Sequence, residues 1–322
     1  SQGRNQIIPR QNWSMYSNLA FGVTTIHDPS NNTNEIFSAS EMQRAGEIVA
    51  PRIYSTGRIL YGAESLGAKA IVNSYEDALF HIQRMKDTGA ISVKSYNQPG
   101  RAQRQQIIAA AKKLGIMVVP EGGGKLHQNI TMLVDGHTGL EHSLPIAYGY
   151  KDLTKLWGAS SYGYTPTFVV SYGGLMGEEY WYDRTEVWKN KRLMRYTPHF
   201  LVDGRSIRRY KAPDNQYNHV DVAKYAKTLN ANGVGVHIGA HGQRSGLAAH
   251  WEMWMMAQGG FTPWEMLRSA TASGAYSLGM DGDIGSLEPG KLADLVIIDG
   301  NPLEDLTLLG ANANFYEAEP RS

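Results

Sequence analysis

Short runs of β-branched and other apolar residues alternate along this chain with stretches whose apolar positions recur every three or four residues. GVTTIHD (22–28), RIYSTG (52–57), AISVKSY (90–96), GIMVVPEG (115–122), GLEHS (139–143), TPTFVVSYG (165–173) and GVGVHIGAHG (233–242) each predict a strand. Between them, SYEDALFHIQRMKDTG and RAQRQQIIAAAKKLG predict helices that end on glycine, where a left-handed cap is favoured. Strict alternation of strand and helix requires parallel strands joined by right-handed crossovers. Seven or eight such units, with no GxGxxG after the first strand, favour an α/β chain of the TIM (β/α)8 type over a doubly wound sheet. Residues 174–216 break the rhythm. This insert, rich in Tyr, Trp and Arg, is expected over the C-terminal rim of the barrel and less ordered than the strands, with a partner-facing helix pair as the other reading.

Composition narrows the function. The chain has 322 residues, 42% of them hydrophobic, enough for one large core or two unequal ones. Thirty-one basic against thirty acidic residues leave a formal charge of +1, so no chain-wide field draws it to nucleic acid or to an anionic membrane. A small-molecule substrate is the expected partner, and self-association stays open. No apolar run reaches the roughly 18 residues that a spanning helix needs. The absence of cysteine excludes thiolate nucleophiles, disulfides and cysteine metal sites, but suits both periplasm and cytosol.

Candidate chemistry lies at the strand ends. His27, Lys94, Glu121, His142 and His241 each fall where a predicted strand runs into its loop, and such ends share one rim in a closed barrel. Lys94 closes the apolar run ISVKSY, so its ammonium needs a carboxylate, a metal-bridging modification or an outward turn. Glu121 and His142 are oxygen and nitrogen donors suited to Zn²⁺ or Mn²⁺. His241, an imidazole that titrates near neutrality, suits a base or proton shuttle, and Tyr96 and His237 are candidates for contacting substrate. His250, in the helix that HWEMWMMAQ predicts, is expected to be structural, and His81 and His127 to be helix-surface residues.

The segment TASGAYSLGMDGDIGSLEPGKLADLVIIDGNPL (271–303) resembles the C-terminal signature of the amidohydrolase superfamily, in its imidazolonepropionase-like and prolidase-like branches. The resemblance extends back to FGVTTIHDPS (21–30). It implies a barrel over 1–280 and part of a small β-sandwich over 281–322, with GSLEPG and ADLVIIDGNP as strands, LVII buried, and Gly285 and Gly290 in tight turns. It further implies a centre of one or two divalent ions, zinc first and manganese second. Lys94 matches the fourth-strand lysine that is often carboxylated, and His142 the sixth-strand histidine. Glu121 stands where many relatives carry histidine, and Gly239-Ala240-His241 replaces the eighth-strand G-[TS]-D.

The implied reaction is attack of a metal-activated water on an amide or cyclic amide C–N bond. Esters, lactones or organophosphates on the same scaffold form one alternative, and a non-catalytic binding protein another. The family's first-strand H-x-H does not occur, so the first barrel strand and two sandwich strands are expected to lie outside this sequence. A degenerate member would instead carry an open seam between its second and eighth strands. The aromatic stretch from Tyr180 to Tyr196 suggests a bulky, partly apolar, peptide-like ligand.

Overall fold

The computed structural model describes residues 10–64, 69–97, 100–311 and 313–317. Its parallel strands form an arc of the TIM-barrel type. β1 (Thr25–Asp28) pairs with β2 (Arg52–Ser55), which turns through Thr56 and Gly57 into β3 (Ile59–Tyr61). β3 pairs with both β4 (Lys69–Ile71) and β5 (Ser92–Ser95), and β5 pairs with β6 (Met117–Pro120). The Thr138 N–H donates to Val118 O at 3.0 Å and carries the arc to β7 (Gly139–Glu141), which pairs with β8 (Gly163–Thr165). A bridge from Tyr164 to Val236 adds residues 235–237. Among the described residues β1 pairs with β2 and residues 235–237 with β8.

Two predicted strands are corrected, and two observed strands, β3 and β4, were not predicted. The run 165–173 places its strand too late, because Thr167 turns the chain at φ 49° and Phe168–Val170 forms a 3₁₀ turn. The run 233–242 makes a bridge instead of a ladder, since glycines at 233, 235 and 239 weaken a strand interior. β3 and β4, of three residues each, are too short to show a period.

Alternation along the strands separates an apolar exterior from a polar interior. Val93 points outward into a core with Ile82, Met85 and Ile107, while Ser92 and Lys94 point inward. On the opposite side Leu140, Tyr164 and Val236 pack outward against Trp157, Trp251 and Met255. A barrel interior is usually filled by branched side chains. Here Gly139, Gly163 and Gly239 face inward and leave a cavity of about 1480 Å³.

The insert is not a loose rim loop. It folds into helices Gly177–Arg184, Lys191–Tyr196 and His199–Ile207, whose Tyr182, Leu193 and Val202 are fully buried in the larger core. Aromatic packing explains the order, with Trp181 stacked 6.2 Å from Trp251. Glu178, Leu201 and Arg205 of the insert line the cavity.

At the C-terminus, β9 (Asp294–Ile298) pairs antiparallel with β10 (Ala313–Glu317). GSLEPG forms turns instead of the expected strand, with Gly285 and Gly290 at φ 90° and 95°. LVII is only partly buried: Leu295, Val296 and Ile297 of β9 are 37%, 38% and 53% exposed while Ile298 packs against the larger core, and among the described residues no second sheet covers this strand pair. An ion pair from Arg52 Nε to Asp294 Oδ2 at 3.0 Å ties this sheet to β2. Among the described residues no helix is long and apolar enough to cross a membrane.

Candidate active site

Three strand ends bring Lys94, Glu121 and His142 into contact. Lys94 is on the inner face of β5, and its Nζ lies 2.7 Å from Glu121 Oε2. Glu121 follows β6 directly, its N–H still donating to Ser95 O at 2.8 Å. Gly122 then passes so close to β7 that a Cβ would stand 1.8 Å from Glu141 O. Glu121 Oε1 lies 2.8 Å from His142 Nε2, and His142 Nδ1 lies 2.8 Å from Thr167 Oγ1. The His241 ring stands edge-on to His142 at 5.0 Å, with its Nδ1 3.0 Å from Gln243 Oε1.

Electrostatics favour an ionised carboxylate at the centre. Burial pushes the Glu121 pKa up, but the hydrogen bond from His142 and the Lys94 charge outweigh it and hold the group at about 2. Burial draws His241 below the ordinary imidazole value; His142 and Lys94 add to this, while Gln243 and Glu121 oppose it. Glu141, inward on β7, is raised by burial against the pull of Lys94.

The remaining predicted residues distribute by level. Tyr96 lines the cavity, its ring 5.8 Å from Tyr61. His237 also lines it but sits deeper, against Gly163, where burial lowers its pKa to about 4. His27 is likewise inside the barrel and not with the triad: its Nε2 is 2.9 Å from Ser92 Oγ. His250 is structural, its Nε2 2.7 Å from Phe21 O, and His81 and His127 lie on helices away from the cavity.

Sequence reasoning missed Thr167, Arg244 and Glu252. Nothing in TPTFVV marks Thr167, and Arg244 is signalled only by its nearness to His241. Glu252 was visible as a lone charge in the apolar run HWEMWMM; it is fully buried and its Oε1 accepts the Val169 N–H at 2.7 Å.

The resemblance implies a divalent ion. Among the described residues no three His, Asp or Glu side chains stand together as a ligand set. Glu121 and His142 are donors of the right chemistry at contact distance. Lys94 as an ammonium repels a cation; as a carbamate it supplies a third, oxygen donor. With that modification the set fits a divalent ion.

Residues 22–320 match the model of the amidohydrolase family. No curated protein matches the chain by sequence. An Xaa-Pro dipeptidase solved with methionine in its active site is similar at TM-score 0.70 and 18% identity, over 99% of this chain and 83% of that one. A putative prolidase from Bifidobacterium longum is similar at 0.66 and 22%, over 96% and 77% of the two chains. The ochratoxinase of A. niger is similar at 0.67 and 17%, over 94% and 72%. At such identities the structures speak for a common fold, while the family match spans nearly the whole chain. This chain therefore belongs to the amidohydrolase family, as a hydrolase acting on carbon–nitrogen bonds.

Proposed function

We propose that the protein is a metal-dependent hydrolase of amide bonds in small cyclic or dipeptide-like substrates. In this reading carboxylated Lys94, Glu121 and His142 hold the ion and His241 moves the proton. The observation that carries it is the contact of Lys94, Glu121 and His142 at 2.7 and 2.8 Å, with the His241 ring 5.0 Å from His142, in one cavity. A divalent ion, zinc before manganese, supplies when bound the acidification of water and the polarisation of the scissile carbonyl.

The chain's own residues do the rest. His241, whose lowered pKa favours the neutral ring, accepts the proton of the attacking water at Nε2, since Nδ1 is engaged by Gln243. The same ring then gives that proton to the leaving amine. Thr167 orients His142 through Nδ1, as outer partners of ligating histidines do. Tyr96 and His237 face the substrate space. The dipeptidase, prolidase and ochratoxinase likenesses support amide substrates over esters, lactones or organophosphates, for which no specific observation speaks.

Metal analysis of the purified protein, with His142→Ala and Glu121→Ala beside it, is the test. About one or two divalent ions per chain are expected in the wild type, and both variants should lose metal and amide hydrolysis together. A wild-type protein that takes up no divalent ion from excess zinc or manganese and cleaves no amide would end this reading in favour of a binding protein.

A further inference from the structure

Among the described residues, four other than glycine hold positive φ: His142 at 68°, Thr167 at 49°, His241 at 54° and Arg244 at 28°. All four line the same cavity. Backbone strain of this kind persists where the surroundings enforce it, and it collects at functional sites. The first three belong to the machinery described above, which leaves Arg244 unexplained.

The surroundings of Arg244 specify what it could bind. Its side chain is 8% exposed, and the guanidinium lies over the Tyr182 ring at 5.5 Å. One terminal nitrogen donates to Leu201 O at 3.1 Å, and the other reaches Glu178 Oε1 only at 3.4 Å. Its buried Nε has no hydrogen-bond partner among the described residues. Glu178 is already engaged by Arg205 at 2.8 Å, and Arg205 also contacts Glu179 at 2.8 Å. Arg244 is thus a buried cation with one long ion-pair contact and an unmatched donor. The complement of such a fork is a planar anion, which accepts two N–H bonds at once. Arg205 lines the cavity beside it, and His241 stands three residues before Arg244 on the same loop.

We propose that Arg244, assisted by Arg205, binds a carboxylate of the substrate, so that the enzyme selects amides bearing a free carboxylate, of the dipeptide or N-acyl amino acid class. This rests on the amide-hydrolase reading and adds the substrate class to it. Arg244 is a specificity residue here, and the reacting atoms remain with the groups around His142.

The test compares N-acyl amino acids with their neutral carboxamides. In the wild type, kcat/KM for the acids should exceed that for the carboxamides on the order of ten- to a hundredfold, the range for hydrogen bonds to a charged group. Arg244→Gln should shrink that ratio at least tenfold, chiefly through KM for the acid, and Arg244→Lys should retain part of it. Arg205→Gln, at a more exposed position, should shrink the ratio less and serves if Arg244→Gln fails to fold. Equal cleavage of acid and carboxamide by the wild type, or an equal fall on both in Arg244→Gln, overturns the proposal. Should the wild type cleave neither, the amide-hydrolase reading is what has failed. Calorimetric titration with the same pairs then decides the carboxylate site: tighter binding of the acids, lost in Arg244→Gln, upholds it, and no preference overturns it.

Discussion

Thr167 has the least conspicuous sequence context of the site residues and a direct hold on its chemistry. Its hydroxyl meets His142 Nδ1 at 2.8 Å, while the opposite ring nitrogen meets Glu121 at 2.8 Å, so the imidazole is fixed from both sides. Thr167→Val keeps the β-branched shape and removes only the oxygen. Activity should fall roughly ten- to a hundredfold, as when a partner behind a ligating histidine is lost. Stability should fall by about 1–3 kcal/mol, because the same hydroxyl also donates to Pro166 O at 2.8 Å and its loss leaves buried partners unmatched. Steady-state kinetics with thermal denaturation checks both, and an unchanged kcat would remove Thr167 from the site. Lys94, Glu121 and His142 were legible as residues, because an ionisable group at the end of an apolar run demands a partner. Their mutual contacts were not, since three separate strands have to be brought to one rim first.

At the scale of elements, the hollow interior depends on glycines that face inward. A Cβ on Gly163 would stand 2.6 Å from His237 Nε2, so β8 and the segment 235–237 can pair with the imidazole between them only while residue 163 lacks a side chain. Gly163→Ala should destabilise the protein by about 1–3 kcal/mol, the range for overpacking. His237→Ala in the same chain should restore most of it. Denaturant titration of the two single variants and the double one measures the coupling, and additive losses would mean that the ring does not rest on Gly163. The sequence foretold a helix over HWEMWMMAQ but not the task of its one charge. Glu252 takes up the Val169 N–H, which the 3₁₀ turn after Thr167 withdraws from any strand ladder.

For the whole molecule, buried titratable groups set the response to pH. Burial, the largest cause in each, lowers His27, His137, His237 and His250 from 6.5 to about 4. Their contribution is present above the unfolded value of 6.5 and is lost as pH falls through about 4, because the unfolded chain binds those protons first. Glu252 has the opposite sign: burial raises it from 4.5 to about 8, so its contribution is full below 4.5 and is lost as pH rises through 8. Each fully shifted group changes stability by about 1.4 kcal/mol per pH unit inside its window. Four histidines against one glutamate make acid the destabilising direction between pH 6.5 and 4.5. Chemical denaturation at stepped pH should show that slope, and Glu252→Gln should remove the loss that the wild type suffers between pH 7 and 8. A flat profile from 6.5 to 4.5 would mean that those imidazoles are not held neutral by burial.

The sequence by itself determined the alternation of strand and helix, hence parallel strands, and it placed an ionisable residue where each of several strands ends. Local physics suffices for this, because hydrophobic period and glycine punctuation act over a few residues. Only the tertiary structure decided which ends meet. It packed the insert as helices against Trp251 and left Leu295, Val296 and Ile297 exposed where a buried strand was expected. It also put positive φ at His142, Thr167, His241 and Arg244. Those outcomes depend on contacts between segments far apart in the chain, so no short window of residues could carry them.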